Sequence, residues 1–225
     1  MTSPDRSMLR GFPRLPASLG AALLLWLCVP GFAADPPIPE GGVMEFSIIR
    51  KGEVIGNYRS DFVRKPDGEL DVHTVIKAEL TLGPVRLYHF DHTGTEIWRN
   101  AKLVGLTADS DDDGEVHHLR LREEGAALVL DVDGKPTVIP AASVPSSFWS
   151  LGMLKDRPVF DMVDGQSQRI DVSCSSVPAR TAESAGTECD LTGDIVRSLR
   201  YTGQNLLDGV TFVADDGSKI LYRRK

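Results

Sequence analysis

The sequence predicts an all-β protein. Its strands form an antiparallel meander that makes a curved sheet or barrel, with a short helical or irregular plug at about residues 140–156. Three observations predict it. From Leu70 to Leu82 every even position but Thr74 is apolar, and the odd positions are mostly polar, which is the period of a strand with one buried face. Six Asp-Gly dipeptides, at 67, 113, 133, 164, 208 and 216, punctuate the chain; Asp-Gly suits the positive φ angles of hairpin turns. Pro140 and Pro145 exclude a regular strand in the one stretch where alternation fails. A two-sheet sandwich is the alternative packing of the same hairpins.

Taken in order, residues 1–33 are not part of the fold. Arg6, Arg10 and Arg14 precede a 13-residue apolar run, Ala17–Val29, and Gly31-Phe32-Ala33 supplies small residues before a cleavage site. That is the pattern of a secretory signal peptide cleaved after Ala33. The run is shorter than the ~20 residues of a membrane span. Cys28 follows Leu27 where lipidation needs a small residue, so no lipid anchor is expected. Residues 34–42 (ADPPIPEGG) read as a flexible tether, and 43–225 as one β-domain.

Within that domain, strands are expected at 43–50 and 54–65, then in the long pair 69–82 and 85–99 around Gly83-Pro84. Strands 103–110 and 115–123 flank Asp111-Asp112-Asp113-Gly114, and 127–132 and 137–139 flank Asp133-Gly134. In the plug, Ser146 or Ser147 is placed to cap a short helix, with Phe148, Trp149, Leu151 and Leu154 as its apolar side. Strands resume at 158–163 and 168–174, a polar loop follows at 175–186, and strands at 187–191, 195–202, 206–213 and 219–223 finish the chain.

The chain has 25 basic and 32 acidic residues. Removing residues 1–33 takes away three basic and one acidic, leaving 22 against 31 and a net charge of −9. An acidic surface repels phosphate backbones, so neither nucleic acid nor an anionic membrane is expected as a partner. After cleavage no segment is apolar enough to span a bilayer.

The candidate site lies on one parity of 85–98, where Tyr88, Phe90, His92, Glu96 and Trp98 alternate. A bulge at Thr93-Gly94-Thr95 could turn His92 or Glu96 outward. The pair is open to three readings: a hydrogen-bonded pair inside an aromatic layer, ligand contacts, or catalysis. No nucleophile signature accompanies it, so no catalytic residue is assigned. Phe148 and Trp149, on the plug, complete the expected ligand-binding set.

No metal site or cofactor is expected. Asp109, Asp111, Asp113 and Gly114 match the start of a calcium loop, but Arg120 stands where its closing Glu belongs. His89 and His92 diverge on a strand, as do His117 and His118. Cys174 and Cys189, an even pair in an exported chain at facing ends of two strands, are expected to form a disulfide.

The stretches VIGNYRSDF, YHFDHTGTEIWRNAKLVGL, DDDG, PSSFW and GVTFVADDGSKILYR resemble a family of exported bacterial proteins classed as a domain of unknown function. The resemblance covers nearly all of residues 43–225 and implies a periplasmic, all-β, curved-sheet protein. It brings no activity with it, and Cys174 and Cys189 look like additions to its pattern. The function expected is non-enzymatic binding of a lipid or other hydrophobic small molecule on a concave aromatic face. An envelope interaction module without a small ligand is the second reading, and a hydrolase using His92 and Glu96 the third.

Overall fold

Successive strands form hairpins because alternating faces and positive-φ turns recur along the chain. β1 (Val43–Arg50), β2 (Glu53–Arg64), β3 (Leu70–Leu82), β4 (Val85–Arg99), β5 (Lys102–Asp112), β6 (Glu115–Glu124), β7 (Ala127–Val132) and β8 (Lys135–Ile139) each pair antiparallel with the next. β9 (Val144–Pro145), β10 (Val159–Phe160) and β11 (Ser167–Gln168) make a small separate sheet. β12 (Ile170–Val177), β13 (Gly186–Gly193), β14 (Arg197–Thr202), β15 (Leu207–Val213) and β16 (Lys219–Arg224) form a second meander. The computed structural model describes residues 36–179 and 185–225, all within one compact unit. The signal peptide, Cys28 and part of the polar loop lie outside the described residues.

The two meanders join where β16 pairs antiparallel with β1, Phe46 opposite Arg224 and Arg50 opposite Ile220. One sheet of 13 strands results, with β12 and β8 at its edges, rather than two facing sheets. Inward residues from both halves meet in a single buried cluster: Met44, Phe46, Phe62 and Leu106 from one, Cys189, Leu199 and Tyr201 from the other. The sheet must therefore curl around that cluster, the usual way a long meander covers its apolar face.

Several local expectations are corrected. Asp208-Gly209 lies inside β15, opposite a register shift at Arg200/Tyr201; the turn is at 203–206, where Asn205 takes φ 62°. β12 and β13 run past the cysteines, to Val177 and from Gly186, because cross-strand pairing extends the ladder over polar residues. Val144-Pro145 does pair, in parallel with β10. Residues 36–42 are not a free tether: Ile38 packs on the core and Glu40–Gly42 forms a 3-10 turn closed by Gly42 N–H on Pro39 O at 2.9 Å.

The plug enters the curl. Its 3-10 helix, Leu151–Leu154, has Ser150 before it and no side-chain cap. Ser146 instead accepts the Met162 N–H at 3.1 Å, so the expected cap became a tie to the β10–β11 loop. Phe148 takes φ 45°, uncommon for a bulky residue. The Tyr201 hydroxyl donates to its carbonyl at 3.0 Å, and the side chain is buried, which holds the turn in place.

Candidate functional site

β4 keeps register with β3 from Phe90 to Trp98 and with β5 from Phe90 to Ile97, so no bulge forms at Thr93–Thr95. Tyr88, Phe90, His92, Gly94, Glu96 and Trp98 therefore share the inward parity. His92 and Glu96 are each 1% exposed.

Glu96 joins the sheet to the plug. Its Oε2 accepts the indole N–H of Trp98 at 2.8 Å and that of Trp149 at 3.0 Å. Its Oε1 is buried without a partner among the described residues, as is the Ser147 hydroxyl. Burial raises the Glu96 pKa above the ordinary carboxyl range; Ser147 and the two indoles oppose that shift. Ser147 stands close enough to favour the charged form without reaching hydrogen-bond geometry. With two neutral indole donors on Oε2, the burial that raises the pKa outweighs the bonds that favour the charged form.

His92 is the second buried polar group. Its Nδ1 lies 2.8 Å from the Ser110 hydroxyl, and its ring is parallel to Phe90 with centroids 6.3 Å apart. Burial lowers its pKa to about 4, against weaker upward pulls from Asp161 and Asp109. It is a neutral imidazole at ordinary pH. Among the described residues its Nε2 has no partner, and it lies over Gly94, where a Cβ would stand 2.9 Å away. Glycine is needed there for that close approach. The inward residues of the same row, Ser60, Thr74, Gly94 and Ala108, are all small.

The expected ligand set thus divides by depth. Trp98 and Trp149 fill the interior, meeting edge to face, and Trp149 also packs on Phe62 at 5.3 Å. Tyr88 and Phe90 are half-buried, further along β4. Between Phe90 and the plug is a cleft of about 100 Å³ lined by Tyr58, Phe90, Ser147, Phe148, Arg197 and Tyr222, among others. The floor continues past Phe90 along the β3–β4 hairpin, where Leu80 pairs with Tyr88 and Leu82 with Val85. There Leu82 is 71% exposed, Val85 55% and Leu87 51%, so the hairpin tip beyond Phe90 presents apolar side chains to solvent.

Tyr58, Tyr222 and Arg197 were not among the residues expected from sequence. Arg197 carried a legible signal, because it shares the inward parity of Leu199 and Tyr201. A larger concavity, about 560 Å³, lies on the outer face around Arg200, Asp208 and Arg223. Its Arg200 and Asp208 approach to 3.5 Å, and it contains none of the orphaned buried atoms.

The acidic turn is committed to neighbours on the outer face. Asp109 accepts from His118 and Arg120, and Asp111 lies 3.1 Å from His89 and caps the Gly114 N–H. Asp113 lies 3.3 Å from the other nitrogen of His89. Cys174 and Cys189 are directly opposite and bonded, with Cα atoms 4.1 Å apart.

Residues 46–225 match a protein family described as a domain of unknown function, DUF6134. The chain is similar in structure to a β-barrel-like protein of another domain of unknown function, DUF1849, from Brucella abortus. The TM-score is 0.54 at 8% identity, over 81% of this chain and 95% of that one, a likeness of fold. Comparison with curated proteins gives no match.

Proposed function

The chain belongs to the DUF6134 family, and we propose that it is an exported, non-catalytic protein that binds an apolar or amphipathic small molecule between plug and sheet. The observation that carries the reading is the aromatic cleft at Phe90 and Phe148, with exposed apolar side chains at Leu82, Val85 and Leu87 further along the same hairpin. An apolar recess with a few polar groups is the common form of a small-molecule site. About 100 Å³ holds one end of such a ligand, which leaves the rest for the strip. Tyr88, Phe90 and Phe148 are the contacts in this reading. His92, Glu96, Trp98 and Trp149 shape the interior behind them.

Export is supported by the signal-like segment 1–33, cleaved after Ala33, and by the Cys174–Cys189 pair, since disulfides persist in oxidising compartments. Among the described residues no helix is long and apolar enough to cross a membrane. The same exposed strip favours a second reading, a protein-docking face at the β3–β4 tip.

The test is native mass spectrometry of protein purified from its own compartment, followed by titration with a fluorescent acyl probe. A co-purifying small molecule is expected, and Phe90→Ala and Phe148→Ala should weaken probe binding roughly tenfold. A bare protein mass together with no probe binding would leave the docking reading in its place.

A further inference from the structure

We propose that the ligand carries an anionic oxyacid head, a carboxylate or phosphate, and that Arg197 receives it; the inference rests on the binding reading above. Arg197 begins β14 on the inward parity, pairing with buried Leu191. Its guanidinium lies over the Phe212 ring at 5.2 Å and lines the cleft. Among the described residues no carboxylate comes within 4.0 Å of it and no carbonyl accepts from it. A half-buried guanidinium with only an aromatic face for company keeps its fork of donors free for a planar or tetrahedral anion.

Tyr222 adds a second donor. Its hydroxyl has no hydrogen-bond partner among the described residues, it lines the same cleft, and it is near enough to Arg197 to feel its charge. Ser147 lines the cleft as well, with its hydroxyl buried behind it. Asp161 is the opposing charge there. One of its oxygens accepts the Val163 N–H at 2.7 Å and the other the Ser146 hydroxyl at 3.4 Å, so one is held by its own loop and the other by the plug. The cleft has room for a head of a few heavy atoms, and the tail then follows Phe90 and Tyr88 out to Leu80, Leu82 and Val85.

The test compares three probes on the purified protein: cis-parinaric acid, its primary alcohol, and the monophosphate ester of that alcohol. At least one anion should bind about 10-fold to 100-fold more tightly than the alcohol, as a charge-assisted hydrogen bond allows. The tighter of the two anions identifies the head. Arg197→Gln should bring that anion down to the alcohol's affinity and leave the alcohol unchanged. Asp161→Asn should leave anion binding equal or tighter. Salt should weaken the anion and spare the alcohol in the unaltered protein, which keeps the test independent of any folding defect in the variant. An alcohol that binds as tightly as both anions, or an Arg197→Gln loss shared by alcohol and anion, overturns the head assignment and leaves the cleft reading standing. If none of the three probes binds, both readings fall together.

Discussion

Trp98 and Trp149, 51 positions apart in sequence, meet with ring centroids 5.7 Å apart at 88° and donate to the same oxygen of Glu96. One belongs to the sheet and the other to the plug. The plug is therefore oriented by a directional bond as well as by apolar contact, and that hold depends on a carboxyl whose pKa is raised by burial.

That dependence separates two substitutions. The folded Glu96 pKa is raised, so the unfolded chain gives up its proton first. Its contribution is complete below the ordinary carboxyl range and is lost as pH rises through the folded value. Glu96→Gln keeps an acceptor for both indoles without a titrating proton, and should equal or exceed the parent in stability at neutral pH. Glu96→Ala should lose about 2–4 kcal/mol, through two orphaned donors and a cavity. Urea midpoints of the three proteins check this; a Gln variant as weak as the Ala variant would mean that an ionised carboxylate holds the plug.

His92 acts with the opposite sign. Its folded pKa is about 4 against an ordinary 6.5, so between those values the unfolded chain binds the proton and the fold does not. Stability should be full above pH 6.5 and fall by roughly 3 kcal/mol as pH drops to 4. His92→Asn, which can still reach Ser110, should flatten that slope. Parallel denaturant titrations across the interval decide it, and equal slopes would assign the loss to another group.

The disulfide ties an edge strand to the core. Cys189 is buried on β13, while Cys174 is exposed on β12, whose only partner among the described residues is β13. The bond spans 15 positions, so reduction should cost about 3 kcal/mol by chain entropy. Hydrogen exchange should accelerate first in β12. Quantitative labelling of both thiols in freshly isolated protein would contradict the pairing.

Calcium should have little effect. Asp109, Asp111 and Asp113 are engaged by His118, Arg120 and His89, and Arg120 occupies the closing position of the loop pattern. Millimolar calcium should move the melting temperature by less than about 2 °C. A rise of several degrees would show that the ion displaces those partners.

Period-two alternation made β3 and β4 legible almost to the residue, because one face of each is buried and the other wet. Asp113-Gly114 and Asp133-Gly134 read correctly as turns, since both residues of each take positive φ. Asp208-Gly209 did not, because a glycine beside a bulge serves a strand as well as a turn. The inward parity of His92 and Glu96 was visible in the sequence. The partners of Glu96 were not, since the Trp149 bond crosses 53 positions and depends on how the plug enters. Arg197 was overlooked because a single charge in a strand reads as surface until its parity is compared with Leu199 and Tyr201.

The seam between β1 and β16 has a kinetic meaning. Val43–Arg50 is made early, yet its second neighbour is Lys219–Arg224, so the pair Phe46–Arg224 cannot form until nearly the whole chain exists. Each meander can zip locally, hairpin by hairpin, but their union has to wait for a loop of almost 180 residues to close. Until then β1 keeps an unpaired edge bearing Met44, Phe46 and Ile48. A circular permutant that joins Lys225 to Pro36 by a short linker and opens the chain between β8 and β12 would turn this slow step into one more hairpin. It should refold faster than the parent by an order of magnitude or more while keeping the same sheet.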